Sequence, residues 1–352
     1  MYIIRPMRAD DLSGLLELLK DSGHGLTSLP QDEKILKKKI AHSSKSFLHT
    51  NEKPMGELYL FAMEEYETKR LVGVSGIISK IGGFEAYYFY RVQTDRMYSR
   101  MLDKEKFIKS LHMEKTHSGP AEICSLFLSP KFRNSQNGRF LSLSRFLFMA
   151  EHPENFERKV IAEMRGQVNQ KGESPFWDAV GNKYMEIDFI HADYLTLKSK
   201  SFIEELLPKY PILVDLLPKD AQDVIAEVHP DTRGARHILE KEGFRFKGQV
   251  GIFEPGPVLE ARTKNVRAIK DSRVLTVDKY TNFSDELRPE NTFLIANTKK
   301  NEDFKVTYGH LSIEHNKVQI SEAIAKAIGV KIGDTVRFIS LKGPETNTIL
   351  EI

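Results

Sequence analysis

The stretch from Ile123 to Ala150 constrains this chain more than any other. Ile123 to Leu128 form a short apolar run stopped by Ser129-Pro130, and Phe140, Leu141, Leu143, Phe146, Leu147 and Met149 then recur at helical spacing. A buried strand therefore passes through a sharp polar turn into a helix. The turn carries Arg133, Asn137, Gly138 and Arg139. A helix start leaves backbone N–H groups without intrahelical partners and carries partial positive charge, so a phosphate placed there gains hydrogen bonds and field together. Gly138 lets the backbone come close to such a group, and the two arginines add charge. On these residues alone, an ordinary strand, loop and core helix with a solvated basic turn reads equally well.

Composition excludes several function classes without naming one. A length of 352 residues, 40% of them hydrophobic and 29% charged, leads to an expectation of two units with their own cores. The net charge of +3 is spread over 52 basic and 49 acidic residues. The lysines between Lys34 and Lys39, with Lys198 and Lys200, read as solvated faces and not as a nucleic-acid footprint, because no aromatic interleaving accompanies them. No apolar stretch approaches membrane-spanning length, and Met1 to Pro6 read as a first strand and not a signal peptide, so a cytoplasmic location with no membrane partner is expected. One cysteine excludes an intramolecular disulfide and a cysteine metal cluster. Cys124 lies within the apolar strand and reads as a small hydrophobe, not a nucleophile. The histidines lack the paired spacing of helical zinc sites and no acidic calcium loop is present, so no metal is expected.

Along the chain the pattern is mixed α/β. A helix over Leu12 to Leu19, capped by Asp10 or Asp11, is followed by an amphipathic helix from about Asp32. Leu58 to Met63 and Leu71 to Ile78 read as an antiparallel hairpin, with Tyr87 to Val92 as a further strand. Val160 to Met164 is a strand, and Pro175 to Gly181 a helix with a glycine stop. Residues 186–220 look like an insertion. Thr232 to Phe244 gives a second helix of the same kind, stopped at Gly243, which suggests a partial internal duplication. Composition shifts again between about residues 255 and 275, and the expected division is 1–260 and 261–352. The tail shows short strands at Asn291–Thr298, Phe304–Tyr308, Lys317–Ile320 and Thr335–Leu341, with one helix over Ser321–Gly329. Ile328 to Arg337 resembles the helix, turn and strand of small double-psi-type barrels, for which an accessory or dimerisation role is expected.

Arg133-Asn-Ser-Gln-Asn-Gly138 resembles the Arg/Gln-x-x-Gly-x-Gly/Ala turn of the GNAT superfamily of N-acetyltransferases, with Gln136 in place of the first glycine. A narrower resemblance runs from the first residue to about residue 270. Gly25 to Pro30, Tyr90-Arg91-Val92, Asn137 to Ala150, Ala162 to Gly166, Ser174 to Trp177, Ala221 to Ile225, Val228-His229-Pro230, Glu242 to Arg245 and Arg267 to Ile269 are similar, in order, to blocks of the arginine N-succinyltransferase family. That resemblance implies a GNAT-like α/β (α+β) acyl-CoA N-acyltransferase fold, to which the tail's own pattern adds a small C-terminal β-barrel. It implies transfer of the succinyl group of succinyl-CoA, a substrate and not a resident cofactor, to the α-amine of L-arginine or a similar amine. It assigns Leu126, at a splay in the strand, to the thioester, and Arg133, Asn137, Gly138 and Arg139 to the CoA phosphates. His229 is the implied proton donor to the leaving thiolate, suited by an ordinary pKa near ~6.5. A homodimer, or pairing with a related subunit, is expected.

Carboxylates should meet an arginine guanidinium, and Glu163 and Asp231 are the candidates. The chain departs from the family's pattern at Gln93 to Ser99, where Met97 stands at a histidine position, and at Glu114-Lys115-Thr116. Those changes keep two alternatives open: an acyltransferase acting on another amine such as ornithine, and an inactive subunit or interaction protein.

Overall fold

The computed structural model of the chain describes residues 1–49, 52–83, 85–169, 171–283, 291–299 and 301–343. It opens with β1 (Tyr2–Pro6) and α1 (Leu12–Leu19), which buries Leu15, Leu18 and Leu19. The acidic cap expected at α1 is replaced by another arrangement. Asp11 takes the buried Arg5 guanidinium at 2.7 and 2.8 Å and accepts the Arg8 N–H, so its carboxylate ties β1 to the 3-10 turn Ala9–Asp11, caps that turn, and gives α1 itself no side-chain cap bond. In α2 (Glu33–Leu48) the cap is as expected, with Asp32 accepting the N–H groups of Lys34 and Ile35. The hairpin β2 (Leu58–Glu65) and β3 (Leu71–Ile78) follows.

A second hairpin, β4 (Tyr87–Ser99) and β5 (Lys104–Thr116), is much longer than the sequence pattern suggested. From β6 (Ala121–Leu128) the chain enters α3 (Ser135–Glu151) and returns as β7 (Lys159–Glu163), parallel to β6. Then come α4 (Pro175–Ala179), α5 (Gly181–Met185), α6 (Phe189–Leu195), α7 (Ser201–Leu206), β8 (Ile212–Leu213) and α8 (Lys219–Asp223). Gly181 does not stop a helix as expected; it opens α5. The Trp177 ring lies where a Cβ at that position would stand, so close approach is what requires glycine there. The unit closes with α9 (Arg233–Lys241), β9 (Arg245–Val250), β10 (Pro257–Arg262) and α10 (Arg267–Lys270).

These strands lie in the order β1-β2-β3-β6-β7-β10-β9-β4-β5-β8, with β6–β7 the parallel pair. One face is covered by α3, whose Phe140, Phe146 and Phe148 are buried with Ile4, Phe61 and Val160. The opposite face is covered by α1 and α2 through Leu15, Leu36 and Ile40. Residues 186–220 are packed as part of the sheet's covering: Ile203, Leu207 and Val214 bury against Tyr88, Tyr90 and Leu111, and β8 pairs with β5.

The tail is β-rich: β11 (Arg273–Tyr280), β12 (Phe293–Asn297), β13 (Val306–Gly309), β14 (Ser312–Glu314), β15 (Lys317–Ile320), α11 (Glu322–Ile328) and β16 (Thr335–Ser340). Their order is β14-β15-β11-β16-β12-β13, around a core of its own that includes Val277, Val318, Ile324 and Phe338. It joins the first unit where Ile4 faces Val306.

Candidate active site

Two strands that run together and then part create the site. β6 and β7 pair only at Ala121–Val160 and Glu122–Ile161, after which β7 stays with β10. On its other side β6 changes register: Cys124 faces Gly76 and Phe127 faces Val74, so three steps of β6 oppose two of β3. The extra residue is accommodated at Ser125, held at φ +51°, a conformation that costs a non-glycine residue about 1–2 kcal/mol. Such a bulge takes backbone groups out of the ladder, and it does so beside the gap and next to Leu126. Two side chains hold it. Ser28 Oγ lies 3.0 Å from Ser125 Oγ, and Arg145 of α3, 2% exposed, reaches the Cys124 carbonyl at 3.5 Å. Burial pushes the Cys124 thiol up to about 12, which leaves it un-ionised and inert.

The turn after β6 differs in detail from its sequence reading. Asn134, not among the candidates, caps α3 by accepting the N–H groups of Gln136 and Asn137 at 3.1 and 2.7 Å. The helix therefore starts before its apolar series, and Asn137, Gly138 and Arg139 lie in its first turn. Arg133 is exposed, its Nε bonded to the Leu128 carbonyl at 3.0 Å. A Cβ on Gly138 would meet nothing within 4 Å, so that side of the turn is open to a ligand. Asn137 is buried; its amide donates to the Phe132 carbonyl and accepts the Tyr308 hydroxyl of β13. Arg139 turns inward towards Glu242, 3.8 Å away, which also holds Arg267 at 2.8 Å. The side chains of Asn137 and Arg139 thus serve packing, and what those positions present at the turn is backbone.

His229 stands just before α9, far from this motif in sequence. Its N–H donates to the Arg165 carbonyl at 2.8 Å, just past the C-terminal end of β7. Because β6 and β7 are parallel, that is the end of the sheet at which α3 begins, and α9 itself packs on α3. His229 Nδ1 accepts the Asp231 N–H at 3.2 Å, which puts the proton of the neutral ring on Nε2. The Asp231 carboxylate lies 3.7 Å from Nδ1 and favours the doubly protonated ring, while burial and Arg165 disfavour it, with the net result that the pKa is lowered.

On the sheet face away from α3, charged groups from several elements converge. Glu122 of β6 is pushed up to about 7 by burial and by Glu163. Glu163 of β7 is open to solvent, yet burial raises its pKa, so it lines a recess and not the outer surface. Tyr87 donates to its Oε2 at 3.1 Å. Asp193 of α6 and Glu254, in the loop between β9 and β10, are raised to about 6 and about 8, again chiefly by burial. Lys39 of α2, also desolvated, is held below the ordinary lysine range. Of the two carboxylates considered from sequence, Glu163 belongs to this recess, whereas Asp231, 70% exposed at its side chain, belongs with His229. Tyr87, Asp193 and Glu254 carry no local motif; only the topology brings them together.

The first 260 or so residues match a family model described as arginine N-succinyltransferase beta subunit, over residues 2–268, and residues 273–340 match the model of that subunit's C-terminal domain. Arginine N-succinyltransferase of Yersinia pseudotuberculosis is 39% identical over 349 residues, covering 98% of this chain and 99% of the relative. The Yersinia enterocolitica counterpart is 41% identical over 352 residues, with 98% and 99% covered. Among solved structures, the arginine/ornithine succinyltransferase subunit AI from Pseudomonas aeruginosa superposes with a TM-score of 0.86 at 33% identity, covering 97% of this chain and 99% of that one.

Proposed function

The chain belongs to the arginine N-succinyltransferase family, and from that premise we propose that it transfers the succinyl group of succinyl-CoA to the α-amine of L-arginine. The observation that carries the reading is the parting of β6 and β7 beside the Ser125 bulge, at the end of the sheet where α3 begins. A thioester laid in that gap would meet backbone N–H at Leu126, and its phosphates would meet the first turn of α3 beside Arg133 and Gly138.

Direct attack needs a neutral amine, a polarised carbonyl and a proton for sulfur. Glu122, whose carboxyl is held near neutrality, takes the proton of the α-ammonium group. The amine nitrogen adds to the thioester carbon and the bulge N–H steadies the oxyanion. His229, neutral at rest, takes the remaining proton of the adding nitrogen, and as the C–S bond breaks the imidazolium so formed, which Asp231 supports, gives a proton to the thiolate. Amide and free CoA are the products. Much of the acceleration comes from holding both substrates in one gap.

Departures from the family's pattern fall mostly outside this gap. Thr94 to Ser99 lie on the outer half of the long hairpin and pair only with Lys104 to Lys109. Glu114 ion-pairs with Arg91, and Lys115 with Glu204. These positions support an unchanged acceptor. No helix of the described residues is long and apolar enough to cross a membrane. We assign the C-terminal unit an accessory or dimerising role, with a second copy or a related subunit as partner.

The test is release of free CoA from succinyl-CoA with L-arginine and a panel of other amines. His229→Ala should slow turnover on arginine roughly 10²- to 10⁴-fold while CoA still binds. Turnover at the wild-type rate would remove His229 from the mechanism, and CoA binding without turnover on any amine would instead favour an inactive subunit.

A further inference from the structure

We propose that the recess between Glu163, Asp193 and Glu254 receives the guanidinium of the acceptor, with Glu254 the carboxylate that distinguishes a cationic side chain from a neutral one of the same shape. The inference rests on the reading of the chain as an arginine succinyltransferase and adds the residues that select the acceptor.

Three carboxylates share one desolvated space, each within electrostatic reach of the others. Arg165 and Lys200 act on them from a distance, and among the described residues neither forms an ion pair with any of the three. Glu254 Oε2 is shut off from solvent and has no hydrogen-bond partner. A buried carboxylate oxygen without a donor is unfavourable unless something else brings one. Among the described residues no three His, Cys, Asp or Glu side chains gather closely enough to hold a metal ion. A cation that carries several N–H donors would supply the partner that this oxygen lacks. A guanidinium fits, because its planar fork offers five N–H donors to carboxylates on several sides at once.

Position agrees with chemistry. Thr27 lies close enough to Asp193 to favour its ionised form, and the next residue, Ser28, contacts Ser125 at the bulge. Recess and thioester gap are thus one residue apart along the loop 25–30. An amino acid whose α-amine meets the thioester there extends its side chain towards the carboxylates. Burial also leaves the empty recess partly protonated, with Glu254 near 8 and Asp193 near 6, so an entering cation displaces protons.

The experiment compares the wild type with Glu254→Gln and Glu254→Asp, using L-arginine and its neutral isostere L-citrulline, each as substrate and as competitor. Glu254→Gln should raise KM for arginine roughly tenfold or more, leave the KM for succinyl-CoA and the weaker interaction with citrulline unchanged, and Glu254→Asp should restore part of the loss. Titration of wild-type protein with arginine near pH 7, in two buffers of different ionisation heat, should register proton release. Equal loss for arginine and citrulline, an unchanged KM for arginine, or binding without proton release would overturn the assignment. Failure of the wild type to succinylate arginine at all would instead remove the functional reading on which it rests.

Discussion

On the proposed reading, the donor and acceptor halves of the site are built on opposite plans. The donor half is local: bulge, turn and helix start all lie between Cys124 and Arg139, so one short segment supplies the backbone that a thioester and its phosphates would use. The acceptor half is assembled from afar, with Tyr87, Glu122, Glu163, Asp193, His229 and Glu254 arriving on different strands, helices and loops. Their electrostatics differ as well. In the donor half Asn134 covers the first N–H groups of α3, and the buried polar atoms left without hydrogen-bond partners there, Arg139 Nε and Nη2, are cationic. The acceptor half holds desolvated carboxylates that form no ion pair among the described residues. A nucleotide-bearing donor needs a preformed cradle, whereas an acceptor can be selected by what the empty site lacks.

The sharpest way to break that comparison is at the bulge, where the halves meet. Ser125→Val places a β-branched residue at φ +51°, which that side chain cannot adopt without strain, so the register of β6 should shift and carry the Leu126 N–H out of place. Loss of one oxyanion donor is worth roughly 10²–10³ in kcat. Ser125→Gly accepts the same backbone and loses the same contact with Ser28, and should keep kcat within a few-fold of wild type. Similar kcat for the two variants would show that the contact, and not the bulge, is what matters.

The same contrast governs what could be read from the sequence. The strand, turn and helix of the donor half were legible because apolar spacing and a Ser-Pro stop lie within one window. Which side chains face a phosphate was not legible there. Arg139 and Asn137 look like ligands in the sequence, yet Glu242 and Tyr308, remote in the chain, draw them inward. Gly181 read as a stop for a like reason, since nothing local announces that Trp177 packs on it. In the acceptor half only Glu163 and His229 were within reach, through blocks of resemblance. Glu254 and Asp193 lie in segments with no periodicity, and their meaning comes from the crossing of β4 and β5 to the far side of β9.

A smaller effect should separate the halves by pH. Burial raises Glu122 to about 7, Asp193 to about 6 and Glu254 to about 8, above the range these groups have in an unfolded chain. Between the unfolded and folded values the folded state binds more protons, so this contribution to stability is full at low pH and is lost as pH rises through the folded values. Glu254→Gln removes one such group, and its melting temperature relative to wild type should therefore rise between about pH 5 and pH 8.5. A difference that stays constant across that range would mean that Glu254 is not desolvated, and the electrostatic contrast between the halves would go with it.

The smallest effect belongs to the cap of α3, and it asks whether the donor cradle is as complete as it looks. Asn134→Ala removes the acceptor for the Gln136 and Asn137 N–H groups, which in the free protein should cost about 1 kcal/mol of stability. Pyrophosphate oxygens at the same helix start would accept those N–H groups in its place. With CoA bound, then, the stability gap between wild type and Asn134→Ala should narrow, and CoA affinity should be little changed or slightly improved. Thermal unfolding with and without saturating CoA reads this directly. A gap that persists undiminished would place the phosphates away from the Gln136 and Asn137 N–H groups, against Arg133 and the open side of Gly138 instead, and those two N–H groups would then have no share in holding the donor.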